Sequence, residues 1–176
     1  MELFWNIQVQ ATNTSLDMLK QKTQINWTSP LHLLAFGLGS GAAPKAPGTF
    51  GTIAAIPLYL LISQLTHWQY LVVVLVLAGF GVWLCDRVAR ELGVHDHPGI
   101  VWDEWVGFLI TMWLAPAGWV WLLLGFVLFR FFDILKPWPI NLLDRSVQGG
   151  WGIMLDDIVA GVYAFALIQL AVYVYL

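Results

Sequence analysis

The stretch WDEWVGFLITMWLAPAGWVWLLLGFVLFRFFDILKPWP (residues 102–139) decides the fold. It holds two apolar segments, parted by Ala115-Pro116-Ala117-Gly118 and stopped by Pro137 and Pro139. From Trp105 to Phe129 there is no Asp, Glu, Lys or Arg. Carboxylates stand just outside that window: Asp103 and Glu104 before it, Asp133 after it. The arrangement recurs at the end of the chain, where Asp156 and Asp157 precede an uncharged run from Ile158 onward. A carboxylate near the apolar core of a bilayer costs roughly 2.5–3.5 kcal/mol on the mildest insertion scale. Three acidic groups so placed need compensation, and a shared cation supplies it.

Composition agrees with a membrane setting. The 176 residues are 59% hydrophobic and 11% charged, with mean hydropathy +0.73. Soluble domains carry about 25% charged residues. Eleven Trp suit the aromatic belts of membrane interfaces. The formal charge of -3 offers no basic surface for nucleic acid. The one cysteine, Cys85, rules out an internal disulfide and a multi-cysteine metal site, and reads as packing. The first thirty residues are polar and lack an apolar run after a basic start, so they read as a tail rather than a cleaved signal peptide.

Apolar periods and breakers predict an all-α integral membrane bundle of about five transmembrane or membrane-embedded helices, plus a short N-terminal interfacial helix. The interfacial piece is Leu31 to Phe36. A Gly- and Pro-rich loop follows, from Gly37 to Gly51. The five helices are expected at about Thr52–Ser63 with a kink at Pro57, Trp68–Cys85 continuing through Glu91, Ile100–Leu114, Trp119–Leu135 and Ile153–Tyr175. Residues 31–176 then form one domain behind the tail at 1–30.

Charge placement sets the orientation. Lys20, Lys22 and Lys45 precede the first of the five helices. Arg87 and Arg90 follow the second; Arg130, Lys136 and Arg145 end or follow the fourth. The opposite turns, Ser63–His67 and Ala115–Gly118, hold no Lys or Arg. The positive-inside rule makes all eight cations cytoplasmic. The acidic residues fall on the same side, so the ionic chemistry gathers at one membrane face.

The site candidates follow from that gathering. Asp103-Glu104 opens one helix, where the dipole also favours carboxylates, so simple capping competes with a ligand role. Asp156-Asp157 repeats the doublet, and pairing with Lys or Arg across helices is a further competing reading. Arg130, Asp133 and Lys136 lie at i, i+3, i+6 on one face, which an internal ion pair would also explain. Hard oxygen donors without Cys suit Mg²⁺, or Mn²⁺. Basic side chains among metal carboxylates suit a phosphate. Gly48-Thr49-Phe50-Gly51-Thr52, with Lys45 nearby, offers backbone N–H groups at a helix N-terminus, though a plain turn is the commoner reading. No nucleotide P-loop is present. His95-Asp96-His97 reads chiefly as a solvated loop. His32 and His67 have no partners in sequence, and Ser40 has no adjacent base motif.

Four segments carry a resemblance: GLGSGAAPKAPGTFGT (37–52), HDHPGIVWDEWVGF (95–108), FRFFDILKPWPI (129–140) and GGWGIMLDDIVAG (149–161). With these the chain resembles the bacterial phosphatidylglycerophosphatase A family, in its gammaproteobacterial branch, over nearly everything after Leu31. The resemblance implies a multi-pass inner-membrane, Mg²⁺-dependent hydrolase whose site faces the cytoplasm. Such an enzyme removes the terminal phosphate of phosphatidylglycerophosphate, leaving phosphatidylglycerol, and no protein partner is expected. Asp103, Glu104, Asp133, Asp156 and Asp157 are then the catalytic and metal-binding candidates. Lys45, Gly48, Thr49, Arg130 and Lys136 are the phosphate-binding ones. Direct water attack and a phospho-aspartate route through Asp133 or Asp157 both stay open. A phosphotransferase for CDP-alcohol lipids would need a D-G-x-x-A-R pattern, which is missing. A small ion transporter would place charges mid-helix or on both sides.

Overall fold

The computed structural model describes residues 25–94 and 97–175, apart from the side chains of residues 144 and 145. The tail expected over 1–30 lies mostly outside the described residues, as do Lys20, Lys22, His95 and Asp96; the side chain of Arg145 is outside them too. The described residues form α-helices and one 3₁₀ segment, with no strand among them. In chain order these are α1 (Pro30–Ala35), the 3₁₀ segment (Gly37–Ala42), α2 (Pro47–Ile62), α3 (His67–Leu92), α4 (Trp102–Thr111), α5 (Trp119–Leu135), α6 (Ile140–Ser146) and α7 (Gly149–Tyr175).

The elements begin and end for local reasons. A capping box of Thr66 and Gln69 starts α3, and Gly93, left-handed at φ 69°, ends it. That helix runs past Glu91 as expected. The bounds of α5 match the sequence reading, set by Gly118 before it and by Lys136 and Pro137 after it. α2 begins earlier than expected. Pro47 occupies its first turn, where a missing N–H costs nothing, so Gly48 to Gly51 are helical rather than loop. The helix continues through Pro57. α4 has only 10 residues, fewer than the expected Ile100–Leu114. At 1.5 Å per residue it spans about 15 Å, half a hydrocarbon core. α7 starts at Gly149, four residues before the expected Ile153, so Asp156 and Asp157 sit about two turns inside it. The short α6 was not anticipated.

α7 is the central element, packing against α4, α3, α5 and α6. Its most extensive packing is with α4, across a pair of glycines. A Cβ on Gly161 would run into the Gly107 carbonyl, and one on Gly107 would lie 2.7 Å from the Asp157 carbonyl oxygen. Small residues let helix backbones approach this closely. The core around the crossing includes Phe108, Leu109, Phe129, Met154 and Ile168, all fully buried. Cys85 is buried beside Met154 (Sγ to Sδ 3.9 Å), as a packing residue should be.

The outward surface is apolar. Trp68, Leu75, Val76, Trp119 and Tyr173 are each more than 60% exposed. A water-soluble monomer seldom exposes so much contiguous apolar surface. Helices α3 and α7 are long and apolar enough to cross a membrane, and α2 is a shorter apolar helix. α1 does not merely lie on a surface: His32, Ala35 and the following Phe36 are buried. The Ala35 carbonyl accepts the Val101 N–H at 2.8 Å, which ties α1 to the strap leading into α4.

Candidate active site

Asp103 and Gly107 are one helical turn apart on α4, and Asp157 and Gly161 one turn apart on α7. The glycine crossing therefore brings the two carboxylate-bearing turns together. Asp103, Glu104 and Asp157 each offer an oxygen, and the three oxygens lie within 4.8 Å of one another. All three residues are buried, Asp157 to 3% exposure. Two charges at 4.8 Å repel by about 3 kcal/mol at an effective dielectric constant of 20. Three such pairs sum to about 10 kcal/mol, comparable to a whole domain's stability. The cluster therefore needs a cation or bound protons.

The donor set fits a hard divalent cation. It is all carboxylate oxygen, without Cys or His. Glu104 Oε2 and Asp157 Oδ1 are buried with no hydrogen-bond partner. Buried polar atoms left unsatisfied are rare and call for an ion or water. Asp103 Oδ1 accepts the Glu104 N–H at 3.1 Å inside the first turn, while the cap position is Val101 and makes no side-chain cap bond.

The remaining two carboxylates are held by basic side chains at the rim of the cluster. Arg130 Nη1 pairs with Asp133 Oδ2 at 2.5 Å and stands 3.9 Å from Glu104 Oε1. Lys136 Nζ pairs with Asp156 Oδ2 at 2.7 Å. The cross-helix pairing anticipated as an alternative is thus present for Asp156. Lys136 caps α5 in a left-handed conformation, φ 42°, which aims its side chain back toward α7. The cation–anion–cation face of α5 is real, but its two cations serve different carboxylates.

The glycine-rich segment takes part differently from the expectation. Gly48 is buried against the cluster: a Cβ there would collide with Glu104 Oε1 and lie 2.9 Å from Arg130 Nη1. The N–H groups of Thr49 and Phe50 are bonded to the Ala46 carbonyl, at 3.0 and 3.3 Å. They are spent on the first turn of α2, so they make no anion cradle. Thr49 is half-buried beside Arg130. Lys45 is exposed, just ahead of α2.

Sequence reasoning missed two features. His32 is buried, with Nδ1 accepting the Asn26 N–H at 3.2 Å and Nε2 facing Glu91 Oε2 at 3.1 Å. This clamp joins α1 to the end of α3 across 59 positions, beyond the reach of any spacing rule. The pairing of Gly107 with Gly161 was also invisible, although both glycines stood one turn past a carboxylate. His97 packs against Phe36 at a tilt, ring centroids 5.2 Å apart, and its Nδ1 accepts the Gly99 N–H at 3.0 Å.

Relatives share this chain's sequence over most of its length. It is 50% identical to phosphatidylglycerophosphatase A of Escherichia coli strain K12 over 142 residues, 80% of this chain and 83% of the relative. It is 45% identical to phosphatidylglycerophosphatase A of Haemophilus influenzae over 143 residues, 80% and 88% of the two chains. A Bacteroides thetaiotaomicron protein, 37% identical over 79% of this chain and 91% of its own, carries the provisional name phosphatidylinositol-3-phosphatase. No solved structure matches the chain. A family model described as phosphatidylglycerophosphatase A matches residues 33–172, and the chain belongs to that family.

Proposed function

We propose that this chain is a lipid phosphate monoesterase that hydrolyses phosphatidylglycerophosphate to phosphatidylglycerol and inorganic phosphate. The buried group of Asp103, Glu104 and Asp157 beside Arg130 carries the reading. It puts a cation-binding set of oxygens next to a guanidinium, which together suit a phosphate monoester. The names of the relatives and the family support the choice of lipid.

Asp103, Glu104 and Asp157 would hold Mg²⁺, with Mn²⁺ as the substitute. The cation would polarise phosphate oxygens and acidify a water molecule. Arg130 offsets charge that develops on the phosphoryl oxygens, and Asp133 holds its guanidinium in place. Lys136 does the same from the other side, fixed by Asp156. Thr49, which lines the same groove as Arg130, would meet an entering phosphate, and the exposed Lys45 would attract it. Burial of the carboxylates keeps bulk water from competing for their charge.

In this reading the chain is a multi-pass protein of the bacterial inner membrane. α2 and α5, 16 and 17 residues long, cross with α3 and α7, while the shorter α4 enters part-way. The Arg130–Glu104 and Lys136–Asp156 pairs, which join α5 to α4 and α7, support a shared charged face, and by the positive-inside rule that face would be cytoplasmic. Phosphate release from phosphatidylglycerophosphate in detergent, with and without EDTA, tests the proposal. Release that stops with EDTA and returns with Mg²⁺ is expected. Undiminished release in EDTA, or none at all with Mg²⁺, overturns it.

A further inference from the structure

Two open apolar grooves of similar size mark the outer surface, and only one reaches the charged cluster. The first, about 450 Å³, is lined by Leu65, Trp68, Gln69, Val72 and Val73 near the start of α3. No ionisable side chain lines it. The second, about 430 Å³, lies on α5 and includes Phe126, Val127, Phe131 and Ile134 together with Arg130 and Thr49. Val127, Phe131 and Ile134 are each more than half exposed. Their spacing of four and three residues makes one continuous stripe along α5.

Arg130 belongs to both places. Its guanidinium contacts Glu104 and Asp133 on the inside, and its side chain forms part of the groove wall on the outside. α2 and α5 touch only lightly beside it, so little protein separates groove from cluster. An amphiphile lying along this stripe would set its apolar part on Val127 and Phe126 and its anionic part at Arg130. A water-soluble phosphate ester would gain nothing from such a surface.

We propose that the α5 groove is the subsite for the substrate's acyl chain, and that the lipid reaches the cluster sideways from the bilayer between α2 and α5. The inference rests on the lipid phosphatase activity proposed above and adds the residues that make the enzyme prefer a long-chain substrate. Val127 and Phe126 line the chain below Arg130, while Phe131 and Ile134 cover it nearer the headgroup. None of these four side chains contributes a charge, so their role is selection between substrates.

The test compares kcat/KM for dioleoyl and dihexanoyl phosphatidylglycerophosphate in one detergent. Val127→Trp fills the groove and should lower the long-chain to short-chain ratio about tenfold, the value of about two displaced methylenes. Val127→Phe should fall between Trp and wild type. Val72→Trp, in the other groove, should leave the ratio at the wild-type value. A ratio unchanged in Val127→Trp and Val127→Phe, or lowered equally by Val72→Trp, overturns the inference. A second measurement uses wild-type protein, so folding of a variant does not enter. A substrate lipid carrying a diazirine in its acyl chain should label peptides of α5 and α2 and not residues 65–73. Labelling confined to residues 65–73, or even over all apolar faces, also overturns it. If the wild type releases phosphate from neither lipid, the activity itself fails, a result distinct from release without chain preference.

Discussion

Gly48→Ala tests the tightest contact between a backbone and the carboxylate cluster. The added Cβ would overlap Glu104 Oε1 and stand 2.9 Å from Arg130 Nη1. Ordinary carbon contacts need about 3.5 Å, so the Glu104 carboxylate must retreat by about 1 Å. Both obstructing atoms end flexible side chains, so the stability cost should fall at or below the low end of the 1–3 kcal/mol typical of overpacking. Catalysis is less forgiving, since a displacement of about 1 Å at reacting groups costs about 10²-fold. The expected variant is therefore folded, nearly as stable as wild type, and about a hundredfold slower. Phosphate release at saturating Mg²⁺ measures the rate, and thermal unfolding in detergent measures the stability. Gly79→Ala is the control, because a Cβ there meets nothing within 4 Å. Near-wild-type turnover by folded Gly48→Ala would refute the placement of Glu104 and Arg130 in the machinery.

Asp103→Asn should abolish turnover while the protein stays helical and extractable from membranes; near-wild-type activity at high Mg²⁺ would remove Asp103 from the site. Lys136→Gly and Lys136→Met should both lose most activity, because each removes the 2.7 Å partner of Asp156. The glycine variant should melt higher, by about 1 kcal/mol, since φ 42° strains any residue with a Cβ. Equal melting would refute the strain. Gly161→Ala drives a methyl into the Gly107 carbonyl and should cost about 1–3 kcal/mol and weaken cation binding together. A variant unchanged in both would show that the crossing does not set the cluster.

Much of this was legible because charge is scarce in the chain. In an apolar sequence a carboxylate doublet stands out, and Asp103-Glu104 and Asp156-Asp157 were found for that reason alone. The bounds of α5 were legible because Gly118 and Pro137 are strong local signals. The partition of the five carboxylates was not legible. Adjacent residues on a helix point about 100° apart, and sequence does not say which of two neighbours faces inward. The structure turns Asp157 to Asp103 and Glu104, and Asp156 to Lys136. The start of α2 was misjudged because a Gly-rich stretch reads as loop. Here Gly48 is small to admit Glu104 and Arg130, and Gly51 to admit Val101. α6 is seven residues long and too short to show a period. The His32–Glu91 clamp joins residues that no local rule connects.

The central claim is that Asp103, Glu104 and Asp157 together hold a divalent cation. Titration of the detergent-solubilised protein with Mn²⁺, followed by electron paramagnetic resonance, tests it without reference to turnover. Saturable binding to wild type, displaced by Mg²⁺, is expected, with loss of that binding in folded Asp157→Asn. Equal Mn²⁺ binding by wild type and Asp157→Asn would contradict it.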